Sequence, residues 1–400
     1  MKKTIKWLGI IAFVTAIGFA MTGCASGPSL SPEEQRRQRL ELAFSQPINW
    51  TANNGATWVE AINGIRNSGN EKAHIIEVTE NISVPPSTGL TFGSLTDVQI
   101  TIRGTGTLSL TGNGRMLDIG AGQEIIIRGD LTLQGRDSNS SELVRIQSDG
   151  ILRMGDRAVV RDNEAFVRVA LARSEPVGAI FNDGGLFTMH HNSSVTGNKS
   201  GGVMNRIGRI VLHDNASVSA NTGDGIFFGD SLGAGTLIMQ GDASVTNNTG
   251  RGVIVANLGM HQNALVSGNT NGGVFVHNNF TMSGGTISRN TTTGVGGGVH
   301  LLQGTFNMQG GTIYGNTARE GGGLFIGGWP HGPQVFNNTG GTIYGNDAAV
   351  NLRNVATTNR GHSARAGIRE SLTLDRAGNW RNATITPTTS SEDFGFWLND

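Results

Sequence analysis

The chain has 400 residues, enough for two or three ordinary domains, but only 15% are charged and 6% aromatic, while 61 are glycine and 36 asparagine. A glycine share about twice the usual one, with so few charges, excludes a coiled coil and a charge-rich disordered chain. Thirty basic residues balance thirty acidic ones, so nothing favours nucleic acid, and the one cysteine, Cys24, excludes an intramolecular disulfide and a cysteine-built zinc site.

Lys2, Lys3 and Lys6 precede an uncharged run from Trp7 to Ala20, followed by Met21-Thr22-Gly23-Cys24. A basic start and a short apolar stretch ending in small residues predict a secretory signal, too short for a stable membrane span. The ending resembles a bacterial lipobox, although Met21 stands where leucine is commoner. That resemblance implies cleavage after Gly23, diacylglycerol on Cys24, and a place on the bacterial cell envelope, at the outer membrane or cell surface. The alternative is a plain signal peptide with an incidental cysteine. The expected organisation is a signal over 1–23, a lipidated cysteine and tether over 24–50, an N-terminal cap over 51–95, a repeat domain over 96–350, and last coils with a C-terminal cap over 351–400.

Within the tether, Glu33 to Phe44 suits a short helix. Thr57 to Arg66 places Trp58, Ala61, Ile62 and Ile65 on one face of an amphipathic helix, able to cover the first coil of a repeat array. Strand-like segments follow at His74–Val78 and Ile82–Val84, and weaker coils at Val98–Leu110, Ile125–Leu133 and Leu143–Met154. Residues 351–400 lose the repeat but keep strand-like Ser371–Leu374 and Ala383–Thr386.

From about residue 150 an aliphatic residue is followed three positions later by asparagine: Val160/Asn163, Val195/Asn198, Val218/Asn221, Val245/Asn248, Val266/Asn269, Ile287/Asn290, Ile313/Asn316 and Ile343/Asn346. Successive asparagines lie 35, 23, 27, 21, 21, 26 and 30 residues apart, a period that means a solenoid, propeller or array. Each unit also holds a glycine–aliphatic pair (Gly225-Ile226, Gly252-Val253, Gly273-Val274) and two alternating apolar positions (Phe187/Met189, Leu237/Met239, Phe280/Met282). Three short strands in so few residues leave no room for a helix or for a four-stranded blade. The predicted fold is all-β: a single-stranded right-handed parallel β-helix of about ten coils. Coils stacked about 4.8 Å apart turn equivalent residues into columns. The methionines form a core column, and the asparagines form a corner ladder of left-handed residues, Asn198, Asn221, Asn248, Asn269, Asn290, Asn316 and Asn346.

The segments Gly284-Gly285-Thr286-Ile287-Ser288-Arg289-Asn290, Gly310-Gly311-Thr312-Ile313-Tyr314-Gly315-Asn316 and Gly340-Gly341-Thr342-Ile343-Tyr344-Gly345-Asn346 resemble the right-handed β-helix repeats of pectin-lyase-like proteins, above all those of bacterial surface lipoproteins and autotransporter-like passengers. The resemblance covers about residues 50–380. It implies an architecture that carries both enzymes and binding scaffolds.

An enzyme of this kind would need converging carboxylates. The chain has no Asp-Asp pair, Gly-His-Gly or Arg-x-Lys; Lys72 and Lys199 are the lysines beyond the signal, and the arginines read as scattered. No cofactor motif is present, and none is expected. Two outward columns stand out. One, after the glycine–aliphatic pairs, is Met204, Phe227, Ile254, Phe275, His300 and Phe325: either a contact stripe, or a set covered by the C-terminal segment or belonging to the core. The other carries His190 and His213, which as a metal pair lack a clear third ligand beyond His191 or Asp214 and read better as a solvated polar ladder. The expected role is a lipid-anchored structural or adhesive scaffold for a protein or glycan partner; the alternative is a carbohydrate-active enzyme on the same fold.

Overall fold

The computed structural model describes residues 31–165, 178–229, 235–327, 334–344, 350 and 353–356, with short strands at 364–365, 372–373, 393–394 and 396–398. It is a parallel β-helix of about ten turns with, among the described residues, two helices, α1 (Pro32–Phe44) and α2 (Gly55–Arg66). Three strand ladders run its length. The first stacks Leu117–Ile119, Val144–Gln147, Ile180–Asp183 and Val203–Asn205, and continues to Leu324–Ile326. The second stacks Gln123–Gly129, Ile151–Met154, Leu186–Met189 and their successors. The third stacks Thr132–Gln134, Val159–Arg161, Ser194–Thr196 and onward.

Helix α2 starts where the Asn54 carboxamide accepts from the N–H groups of Ala56 and Thr57 at 2.9 and 3.0 Å. It buries Trp58, Ala61, Ile62 and Ile65, the i, i+3, i+4, i+7 stripe, over the first coil. The fit is close: a Cβ on Gly64 would lie 2.1 Å from the Trp50 indole. Helix α1 is polar and capped by the reciprocal pair Ser31 and Glu34; Arg36 ties it to Asp97 at 2.5 Å.

Inside, like stacks on like. Met154, Met189, Leu212, Met239, Met260, Met282 and Met308 are fully buried in register. Two positions earlier, Phe280 and Phe306 stack with centroids 4.4 Å apart and planes 7° from parallel. Burial of such side chains stabilises by roughly 1.5–3 kcal/mol each. The methionine column ends at Asn338, opposite Met308.

The corner asparagines carry the axis. In each rung from Asn221 to Asn316, and again at Asn354, Oδ1 accepts from the backbone N–H of the asparagine one coil below at 3.0 Å and from its Nδ2 at 2.9–3.0 Å. The second Nδ2 hydrogen goes to the carbonyl of the buried aliphatic residue one coil below, for example from Asn248 to Val218 and from Asn269 to Val245, both at 3.2 Å. That residue is the one three places before the lower asparagine, which explains the spacing. Below, the ladder extends through Asn198 and Asn163 to Asn139, which exchanges bonds with the main chain of Gly114; above, Asn354 closes on the Tyr344 carbonyl at 2.7 Å. The rung over Asn316 is therefore Asn354; Asn346 lies outside the described residues.

One expectation is corrected. The ladder asparagines do not themselves take the left-handed conformation; from Asn163 to Asn316 the residue before each one does. Asp162, Gly197, Ala220, Asn247, Gly268, Arg289 and Gly315 have φ between 54° and 70°. The carboxamide must sit inside the corner to reach both neighbours, so the chain reverses one residue earlier, where the side chain can point out.

Two outcomes are expected from this corner. Replacing Asn269 and Asn290 together by Leu strands the bonding groups of Asn248, Asn316, Val245 and Val266, and should cost on the order of 3–6 kcal/mol, read as a lower urea midpoint; an unchanged midpoint would contradict the ladder's role. Ala220→Gly relieves a Cβ in the left-handed region and should stabilise by about 0.5–1 kcal/mol.

Candidate functional site

The outer side of the first ladder carries one continuous file: Asp118, Arg145, Phe181, Met204, Phe227, Ile254, Phe275, His300 and Phe325, each in register with the next. Strand alternation turns these positions away from the core, since Val203 and Asn205, Val253 and Val255, and Val299 and Leu301 are the fully buried flanks.

The upper file is not an open apolar stripe. Met204, Ile254, His300 and Phe325 are only 7%, 9%, 9% and 6% exposed, while Phe227 and Phe275 are half-buried. The rings pack edge to face along the file, Phe275 on His300 at 4.6 Å and His300 on Phe325 at 5.0 Å. Loops from the asparagine corner lean over them. Gly296 and Gly321, at φ of 68° and 62°, come so near that a Cβ would lie 2.6 Å from the His300 Cβ and 2.8 Å from the Phe325 Cβ. The terminal strand Phe396–Leu398 does not lie over the file; it pairs edge to edge with Leu324–Ile326 as a further rung.

The lower file is charged. Arg115 meets Glu142 at 2.5 Å and Asp118 at 3.2 Å; Arg145 meets Asp183 at 2.6 Å and Glu142 at 3.9 Å; Arg206 meets Asp183 at 2.5 Å. The three carboxylates are buried, and Arg145 lies 5.2 Å from the Phe181 ring centroid. The sequence shows these arginines as scattered because 23 to 38 residues separate the partners across coils. The signal that places them is the triplet with an aliphatic residue on each side, Leu117-Asp118-Ile119 and Val144-Arg145-Ile146, which continues the Val253-Ile254-Val255 pattern downward.

Beside this network, where the first ladder turns into the second, lies an open groove of 610 Å³ lined by Asp149, Gly150, Ile151, Gly184, Gly185, Leu186, Ile207, Gly208, Arg209, Gly235 and Thr236. Five of its eleven lining residues are glycines. Ile207, 43% exposed, forms part of its wall.

At the next corner, where the second ladder turns into the third, His190 and His213 stack face to face, centroids 4.6 Å apart and 8° from parallel. His213 bonds Gln240, and His261 bonds the Ser283 hydroxyl at 2.6 Å. Burial pulls the pKa of both His190 and His213 down, and for His190 the neighbouring His213 adds to this. Stacked rings direct their nitrogens sideways rather than at a common point. Among the described residues no group of three His, Cys, Asp or Glu side chains is arranged to hold a metal ion. Cys24 lies outside the described residues, among which no helix is long and apolar enough to cross a membrane.

No family model, no curated protein and no solved structure matches the chain.

His300 gives the face a measurable titration. Its Nε2 pairs with the Gly327 carbonyl at 2.9 Å, its Nδ1 has no partner among the described residues, and burial pulls its pKa to about 4, with Arg251 and His277 adding to the fall and the Gly327 bond opposing it. His74, wedged between Trp50 Nε1 and the Ser68 hydroxyl, is likewise pulled to about 4 by burial and then by Lys72. Between pH 6.5 and 4 the unfolded chain takes up protons that these native histidines refuse. Their contribution is therefore fully present above about pH 6.5 and falls as the pH drops towards 4. His300→Leu should flatten that part of the stability profile, removing up to about 3 kcal/mol of the acid-side loss; an unchanged profile in urea melts from pH 7 to 4 would contradict the assignment.

Proposed function

We propose that the chain is a lipid-anchored cell-envelope scaffold of the pectin-lyase-like kind that binds an extended glycan or protein partner along the file and its adjoining groove. The observation that carries this reading is the arrangement of one face. Arginines and carboxylates on the lower coils run on into half-buried aromatics on the upper ones, beside a glycine-rich groove that lets a ligand approach backbone closely. A β-helix suits this role because its surface is rigid and periodic. The anchor rests on Lys2, Lys3 and Lys6, the apolar run to Ala20, and Cys24.

A catalytic reading, a polysaccharide lyase or glycoside hydrolase, is favoured by one feature: Asp118, Glu142 and Asp183 gather in a single buried network. Against it, each of these carboxylates is already engaged by an arginine, whereas hydrolysis needs one free to give a proton and another free to attack or activate water.

Cys24→Ser should release the protein from membranes into the soluble fraction, and detergent-requiring association of a correctly processed mutant would contradict the anchor. The released protein, screened on glycan and matrix-protein arrays beside a polysaccharide-cleavage assay, should bind without cleaving. A Phe227→Ser and Phe275→Ser double mutant should keep its β circular dichroism and lose most of that binding; full binding by the folded mutant would remove the file as the contact face. Cleavage abolished by Glu142→Gln or Asp183→Asn would establish the catalytic reading instead.

A further inference from the structure

Three nitrogen-bearing side chains gather round one ring in the upper file. The Arg251 guanidinium lies over Phe275 with Cζ 4.5 Å from the centroid, and His277 and His300 meet the same ring edge-on at 4.8 and 4.6 Å. A partly buried guanidinium ordinarily has a carboxylate, because desolvating an unpaired charge is costly. The half-buried Arg115, Arg145 and Arg153 follow that rule, and the exposed Arg157 also pairs, with Asp130. Arg251 departs from it: among the described residues its guanidinium makes neither an ion pair nor a hydrogen bond. Asp224 Oδ1, in the neighbouring coil, accepts from the Arg251 backbone N–H at 2.6 Å; its charge acts on the guanidinium through space, without a direct ion pair.

The Phe275 ring backs one side of the planar guanidinium. The N–H groups lie in that plane, in the fork geometry that matches two oxygens of a carboxylate, sulfate or phosphate. His300, 9% exposed, keeps its Nε2 proton on the Gly327 carbonyl and presents only a lone pair at Nδ1, so it reports on the site and Arg251 is the group that binds.

We propose that Arg251, backed by Phe275 and lying beside His277 and His300, is a receptor for a single oxyanion group, such as the carboxylate, sulfate ester or phosphate of a ligand. The site is local. It stands whether or not a polymer lies along the file, so failure of the array screen and failure of this site are separable outcomes.

The test is a titration of the whole protein with glucuronate, a sugar sulfate and glycerol phosphate, each at constant ionic strength, read by the ring NMR signals of His277 and His300. At least one of the three should shift those signals saturably, in the millimolar range set by one bidentate contact, and the anion that does so identifies the source. Arg251→Gln should weaken that binding roughly tenfold or more, while Arg157→Gln, which changes an arginine already paired with Asp130, should not. Arg251→Lys keeps the charge but loses the fork, and should weaken binding several-fold in a protein of unchanged melting temperature. No saturable shift with any of the three up to about 50 mM, or equal binding by the wild type and a folded Arg251→Gln or Arg251→Lys variant, would overturn the proposal.

Discussion

The hydrogen bond from one corner asparagine to the next organises this molecule. A buried carboxamide offers two donors and two acceptor sites, and in the middle of the ladder all four are used: two with the asparagine above or below, one with a backbone N–H, and one with the carbonyl of a core aliphatic residue. That saturation is what makes an amide tolerable at 0–1% exposure. It also fixes register. A coil that slipped by one residue would break its own bonds, strand those of both neighbours, and turn the methionine column out of the core. The left-handed residue before each asparagine, the aliphatic residue three places earlier and the core columns all follow from this corner.

The same logic explains what could be read from the sequence. The repeat Val266-Ser267-Gly268-Asn269 announces the corner because its inward residue and its ladder residue are both constrained. Likewise, the stripe Trp58, Ala61, Ile62 and Ile65 announces the cap, because helix geometry leaves it one way to cover the first coil. The left-handed position was harder to place. It tolerates Asp162, Ala220 and Arg289 as well as glycine, so composition gives it no signature, and the asparagine beside it attracts the assignment. Asn354 was hidden for a different reason. It follows Ile343 by eleven residues where three is the rule, although Asn354-Val355-Ala356 takes the place above Asn316-Thr317-Ala318.

Side-chain columns on the outer surface were legible as lines but not in their environment. Period-two alternation places Phe227, Ile254 and Phe275 on one file. It does not tell that glycine loops from another corner descend on His300 and Phe325, because those loops differ in length from coil to coil. The ion pairs of the lower file were less legible still. Arg145 and Asp183 are 38 residues apart, and what joins them is the number of residues in a coil that carries a long insertion. A solenoid thus brings together residues whose sequence separation varies, and a site built across coils leaves a trace only in the short triplets that mark each strand.

The most direct measure of the account is amide hydrogen exchange of the asparagine side chains, followed residue by residue by NMR. The Nδ2 protons of Asn221, Asn248, Asn269 and Asn290 should exchange only through global unfolding, as slowly as the backbone amides of the core strands. Exchange of these carboxamides at the rate of exposed asparagines, in a protein whose core amides remain protected, would show that the ladder is not what holds the coils in register.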